Sequence, residues 1–155
     1  MRQNSFPRCL ANASCATALP GEPSATTVVH VLDIACQIGK LRDFMGDAQQ
    51  WLPWTMPALQ SVQPLPFGQW LLKTPRHLLK LRRYPAPTPD ELYYELVLPG
   101  LGSCQALVHL GATHRGCQLT LTLQRRQHLP LPAFTTSAHH TFSGLQTLKL
   151  VLEQD

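Results

Sequence analysis

Alternation of apolar and polar positions is clearest over residues 117–125. Leu119, Leu121 and Leu123 fall on one side, and Gln118, Thr120, Thr122 and Gln124 on the other. Successive strand side chains point to opposite faces, so this pattern predicts a strand of an antiparallel sheet with one buried face. The same reasoning predicts strands at 58–65, 69–74, 77–84, 91–98 and 103–110. Over 69–74, Trp70 and Leu72 share a face; over 77–84, Leu79 and Leu81 lie opposite Lys80 and Arg82. An earlier strand is expected at 26–33, where β-branched residues are dense. There Val28, His30 and Leu32 oppose Val29 and Val31. Between strands, the proline-rich run 85–90 reads as a loop, because each proline removes a ladder donor. His114, Arg115 and Gly116 read as a turn.

Two stretches change period. Ile38, Leu41, Phe44 or Met45, and Ala48 recur at helical spacing and predict a helix over 36–48. Trp51, Leu52, Pro53 and Trp54 follow, a short packed turn or a second helix stub. The tail steps by three or four through Phe134, Ala138, Phe142, Leu145, Leu148 and Leu152, one apolar stripe on a helix starting near Ala133. Gly144 interrupts that helix at a cost of up to ~1 kcal/mol relative to Ala, which points to a close approach to the sheet or a bend. The order is strand, helix, helix stub, six strands, long helix. Consecutive strands with short turns form an antiparallel meander. The expected class is α+β in two layers, with the terminal helix laid across the curved sheet.

Composition narrows the function classes. Charged residues are 14% of the 155, against roughly 25% in ordinary globular chains. At 44% hydrophobic, the chain has enough apolar material for a core. The net charge of +4 is not gathered in a basic run, so no nucleic-acid partner is expected. No stretch approaches the roughly 20 apolar residues of a transmembrane helix. The five cysteines (Cys9, Cys15, Cys36, Cys104, Cys117) contain no C-x-x-C pair, which argues against a zinc knuckle or a thioredoxin motif. They are read as reduced thiols behaving as small hydrophobes. A Cys9–Cys15 bridge would need an oxidising compartment. Arg2 and Arg8 before the run 9–19 give the layout of a signal peptide, but Asn12 and Ser14 interrupt its apolar middle. Residues 1–24 are therefore expected to be a poorly ordered leader, with one domain over 25–155 and a cytoplasmic location.

Several local motifs, in order, resemble the START-like (SRPBCC) superfamily, within it the polyketide cyclase/dehydrase-like branch. They are Ile34 and Ala35 leading into a helix with Leu41, Phe44 and Asp47; the Trp51–Trp54 segment; Gly68, Gln69 and Trp70; Lys73, Thr74 and Pro75; the acid and aromatic strand start at 89–94; and the terminal 144–149 stretch. Together they cover about residues 25–155. The resemblance implies a helix-grip fold, a seven-stranded antiparallel sheet gripping a long C-terminal helix. It also implies a cavity between them for an apolar ligand: lipid, quinone or polyketide-like. The chain departs from the family pattern at 77–83 and at His139 and His140, where apolar residues are common in the family.

On that expectation the cavity lining is Trp70, Leu72, Leu79, Leu81, Tyr94, Leu119, Leu121 and Leu123 from the sheet, and Phe134, Ala138, Phe142 and Leu145 from the helix. A filled core would use the same residues. Arg83, on the leucine face of its strand, is placed at the cavity mouth to pair with a ligand carboxylate. Tyr84, Tyr93, Tyr94 and His30 are candidates to orient the ligand. No metal or other cofactor is expected, since adjacent His139 and His140 point about 100° apart on a helix. The leading reading is a non-catalytic binder of a small hydrophobic molecule. A cyclase or dehydratase acting in the cavity, and a dimerising interaction module with a filled core, are the alternatives.

Overall fold

The computed structural model describes residues 26–100, 102–126 and 129–154. The expected leader and the Cys9–Cys15 pair lie outside the described residues. Seven strands form one antiparallel sheet: β1 (Thr27–Ile34), β2 (Ser61–Leu65), β3 (Gln69–Lys73), β4 (Leu78–Tyr84), β5 (Glu91–Leu98), β6 (Gly102–Thr113) and β7 (Gly116–Arg125). Their order is β1-β7-β6-β5-β4-β3-β2. Thus β2 to β7 form a meander, and β1 closes on β7 with Leu32 opposite Leu119 and His30 opposite Leu121. Helices α1 (Ile38–Gly46) and α2 (Ala48–Thr55) follow β1, and the long helix α3 (Leu131–Glu153) ends the chain. This is an α+β, helix-grip arrangement, as expected.

The sheet's alternation holds residue by residue. Leu119, Leu121 and Leu123 of β7 are buried under the helices, as are Leu79 and Leu81 of β4. On β1, Leu32 and Ile34 are buried while Val29 and Val31 are more than half exposed. Pro64 lies in β2, an edge strand of the sheet, where a missing ladder donor is tolerated.

Three expectations are corrected. The helix expected over 36–48 is α1 and ends at Gly46, and the second helix stub, one of the two readings of Trp51–Trp54, is α2. The break is at Asp47, whose carboxylate accepts from the Gln49 N–H at 3.1 Å and starts α2. Trp51 to Trp54 is therefore helical, with Pro53 inside α2. Helix α3 begins at Leu131, two residues early, because a proline in the first turn loses no hydrogen bond. Gly144 serves a close approach to α2, not to the sheet. A Cβ there would stand 1.9 Å from the Trp54 carbonyl oxygen.

The two ends of the molecule differ. At one end α3 is tied down: Glu153 accepts from the Ala35 N–H at 2.9 Å and from Lys149 at 2.6 Å, and Lys40 donates to the Leu152 carbonyl at 3.0 Å. Leu41, Met45, Leu110, Leu148 and Leu152 fill the core. At the other end, the first half of α3 faces the β3–β4 turn across open space.

Candidate ligand-binding cavity

That space is a cavity of about 700 Å³ between the sheet, α2 and the first half of α3. Its floor comes from β4 to β7: Leu79, Leu81, Leu96, Leu98, Cys104, Ala106, Val108, Leu121 and Leu123. Met45, Trp51 and Leu52 close the inner side. The helical wall is Ala133, Thr136, Ser137, His140, Thr141 and Leu145. Exposed lining residues mark the mouth: Pro57 and Ala58 after α2, Pro75, Arg76 and His77 in the β3–β4 turn, and Pro132, Ala133, Thr136, Ser137 and His140 on α3.

Of the thirteen residues expected to line the cavity, Leu79, Leu81, Tyr94, Leu121, Leu123 and Leu145 do so. The other seven are corrected. Trp70 and Leu72 of β3 are buried core; the Trp70 ring packs beside Tyr94 with centroids 6.2 Å apart, and Leu72 sits between Val62 and Leu79. Leu119 pairs with Leu32 and Leu110 toward the end that α3 closes. Phe134, Ala138 and Phe142 belong to the packed stripe of α3, with Phe142 stacked on His30 at 4.5 Å. The face that meets the cavity lies one residue aside, about 100° around the helix. It carries small and polar side chains, and their lack of bulk leaves the space.

Arg83 is on the inner face but at the wrong end of β4. Six residues from His77 along a strand is about 20 Å. Its Nη1 donates to the Gly46 carbonyl at 2.8 Å and caps α1 instead of guarding the mouth. Among the orienting candidates, Tyr84 points outward and donates to Glu95 at 2.6 Å, and Tyr93 lies on the same outer face. His30 is outside the cavity. Burial holds its pKa below the ordinary histidine value, partly offset by the Ala138 backbone. Its Nε2 has no partner among the described residues.

Tyr94 is the polar group in the depth. Its hydroxyl donates to the Met45 carbonyl at 2.6 Å, and Trp51 packs edge-on to its ring at 5.1 Å. Burial raises its pKa. Burial likewise pushes the Cys104 thiol up to about 12. Neither group is ionised near neutrality, so neither can serve there as a general base. Cys36 and Cys117 lie outside the cavity, with sulfurs 3.8 Å apart and unbridged. Sequence patterning missed Arg76 and His77 as mouth residues, because nothing in alternation tells which turn faces which helix end.

No protein-family model and no curated protein matches the chain. Solved structures do. A crystal structure of a Chromobacterium violaceum protein aligns with a TM-score of 0.64 at 11% identity, over 83% of this chain and 99% of that one. A Deinococcus radiodurans protein gives 0.61 at 17% identity, over 83% and 98%. A hypothetical protein from Sulfolobus tokodaii gives 0.63 at 15%, over 82% and 91%. The likeness is one of fold. Among the described residues, no helix is long and apolar enough to cross a membrane, and no three His, Cys, Asp or Glu side chains form a metal cluster.

Proposed function

We propose that this protein is a START-like binding protein that holds a small hydrophobic molecule (lipid, quinone or polyketide-like) between the sheet and α3. One observation carries the reading: about 700 Å³ of space walled by leucines, alanine, valine and methionine beside an otherwise filled core. That volume is within the roughly 300–1,000 Å³ of small-molecule sites. The driving force is transfer of apolar ligand surface out of water. Covering about 300 Å² of it gives roughly 7 kcal/mol, before the costs of immobilising the ligand. The cyclase or dehydratase alternative lacks support in the depth of the cavity, where Tyr94 is committed to Met45 and Cys104 is held as a neutral thiol.

The test is native mass spectrometry of the purified protein, followed by titration with a fluorescent lipid. A bound mass or saturable fluorescence is expected. In Ala106→Phe, the added ring fills the floor, so binding falls while the far-UV spectrum is unchanged. Absence of binding for every apolar probe, or full binding by Ala106→Phe, would overturn the reading.

A further inference from the structure

The basic side chains that line the cavity gather where it opens. Among the described residues, no Asp or Glu lines it. Arg76 and His77 reach it from the β3–β4 turn, and His140 from α3 on the opposite side. All three are exposed. Arg76 makes no hydrogen bond or ion pair with any described residue. By contrast, Arg42 pairs with Asp90, Arg82 with Tyr84 and Arg83 with the Gly46 carbonyl. Thr74 fixes the turn through two hydrogen bonds, from the His77 N–H at 3.1 Å and to the His77 carbonyl at 3.2 Å. The turn that presents Arg76 and His77 is thereby held without engaging either side chain.

We propose that the molecule held in the cavity is an amphiphile with an anionic head, a carboxylate or phosphate, bound at the mouth by Arg76 with His77 and His140. This rests on the cavity being a ligand site and adds the chemical class of its occupant. The apolar floor takes the tail. The head stays at the opening, where it keeps part of its hydration and meets a guanidinium able to give two parallel N–H donors. The imidazoles supply further N–H donors, neutral or charged. The absence of lining carboxylates removes the repulsion an anion would otherwise meet. Helix α3 contributes in the same sense. Its N-terminal end borders the mouth, and no acidic residue of its own first turn offsets its partial positive charge.

The experiment compares three probes of equal chain length, laurate, dodecyl phosphate and dodecanol. Each displaces a fluorescent lipid at neutral pH and below its aggregation threshold. Either anion is expected to bind about tenfold more tightly than the alcohol, the scale of a charge-assisted bidentate contact. Arg76→Gln should remove most of that preference and leave dodecanol binding unchanged; the residue is exposed, so the fold is not at stake. Added salt should weaken the anions alone. The ratio between laurate and dodecyl phosphate tells which head is preferred, and preference for either supports the inference. Equal binding of anions and alcohol, or an equal loss for all three in Arg76→Gln, overturns the headgroup assignment while leaving the cavity reading intact. No displacement of the bound fluorescent lipid by any of the three also overturns the headgroup assignment; failure of the fluorescent lipid itself to bind overturns both.

Discussion

Gly144→Ala sets helix propensity against packing, and the geometry says which wins. In a helix interior, alanine is favoured over glycine by up to ~1 kcal/mol. At position 144 the new Cβ would stand 1.9 Å from the Trp54 carbonyl oxygen, 2.6 Å from its carbon and 2.9 Å from the Thr55 Cα. Ordinary contact begins at about 3.4 Å, so α2 and α3 must part by about 1.5 Å. All three neighbours are backbone, so no rotamer change relieves the clash. Overpacking of this kind costs about 1–3 kcal/mol, occasionally more. Parting the helices also loosens the contacts around Leu52, Thr55 and Leu145, since a gap of 0.5–1 Å forfeits roughly a quarter to a half of a dispersion well. The expected net loss is about 2 kcal/mol, seen as a fall in Tm of roughly 4–8 °C for a chain of this size. Gly39→Ala is the control. It is also helical, but its Cβ meets nothing within 4 Å, so stability should rise by up to about 1 kcal/mol. Thermal and urea unfolding of both variants are the assays. A Gly144→Ala protein as stable as the parent, or stabilised like Gly39→Ala, would refute the close helix crossing.

Two further substitutions test the buried polar groups. His30 has its pKa lowered in the folded protein, so the unfolded chain binds more protons and stability rises with pH. The contribution is full above about pH 6.5, the unfolded histidine value, and is lost as pH falls from there through the folded value. His30→Phe keeps the stack on Phe142 and should flatten the Tm profile across that window; profiles parallel to the parent's would contradict the assignment. Tyr94→Phe removes the donor to the Met45 carbonyl at the end of α1. It should cost about 1–3 kcal/mol in urea unfolding, and a neutral result would show that water replaces the hydroxyl.

The sheet was legible because a period of two survives any tertiary arrangement. Leu119, Leu121 and Leu123 point inward whatever lies above them. The end of a strand is another matter. Alternation placed Arg83 on the correct face, but its position along β4 relative to α1 is set by how the helices pack, so it caps Gly46 instead of meeting a ligand. The break between α1 and α2 did carry a signal: Asp47 followed by Gln50 is a capping-box spacing, although here the Gln50 amide donates to the Asp47 carboxylate at 3.4 Å while the Asp47 N–H goes to the Phe44 carbonyl. The helical side of the cavity was misread for a physical reason. An apolar stripe marks where a helix packs, whereas the cavity wall is the neighbouring face, where Ala133, Ser137 and Thr141 are too small to fill the gap.

That distinction bears on the low charge content. Between Leu131 and Leu148, α3 carries no Asp, Glu, Lys or Arg; Lys149 and Glu153 sit together near its end. All the charge on this helix is therefore at the end anchored to Ala35, where ion pairing and hydrogen bonding hold it. Ala133, Thr136, Ser137 and His140 are exposed at the opening, so a carboxylate among them would oppose an anion entering there. The stretch carries none. It leaves Arg76, His77 and His140 to set the sign at the opening. The scarcity of charge is thus local as well as global, and it coincides with the space that packing leaves unfilled beside α3.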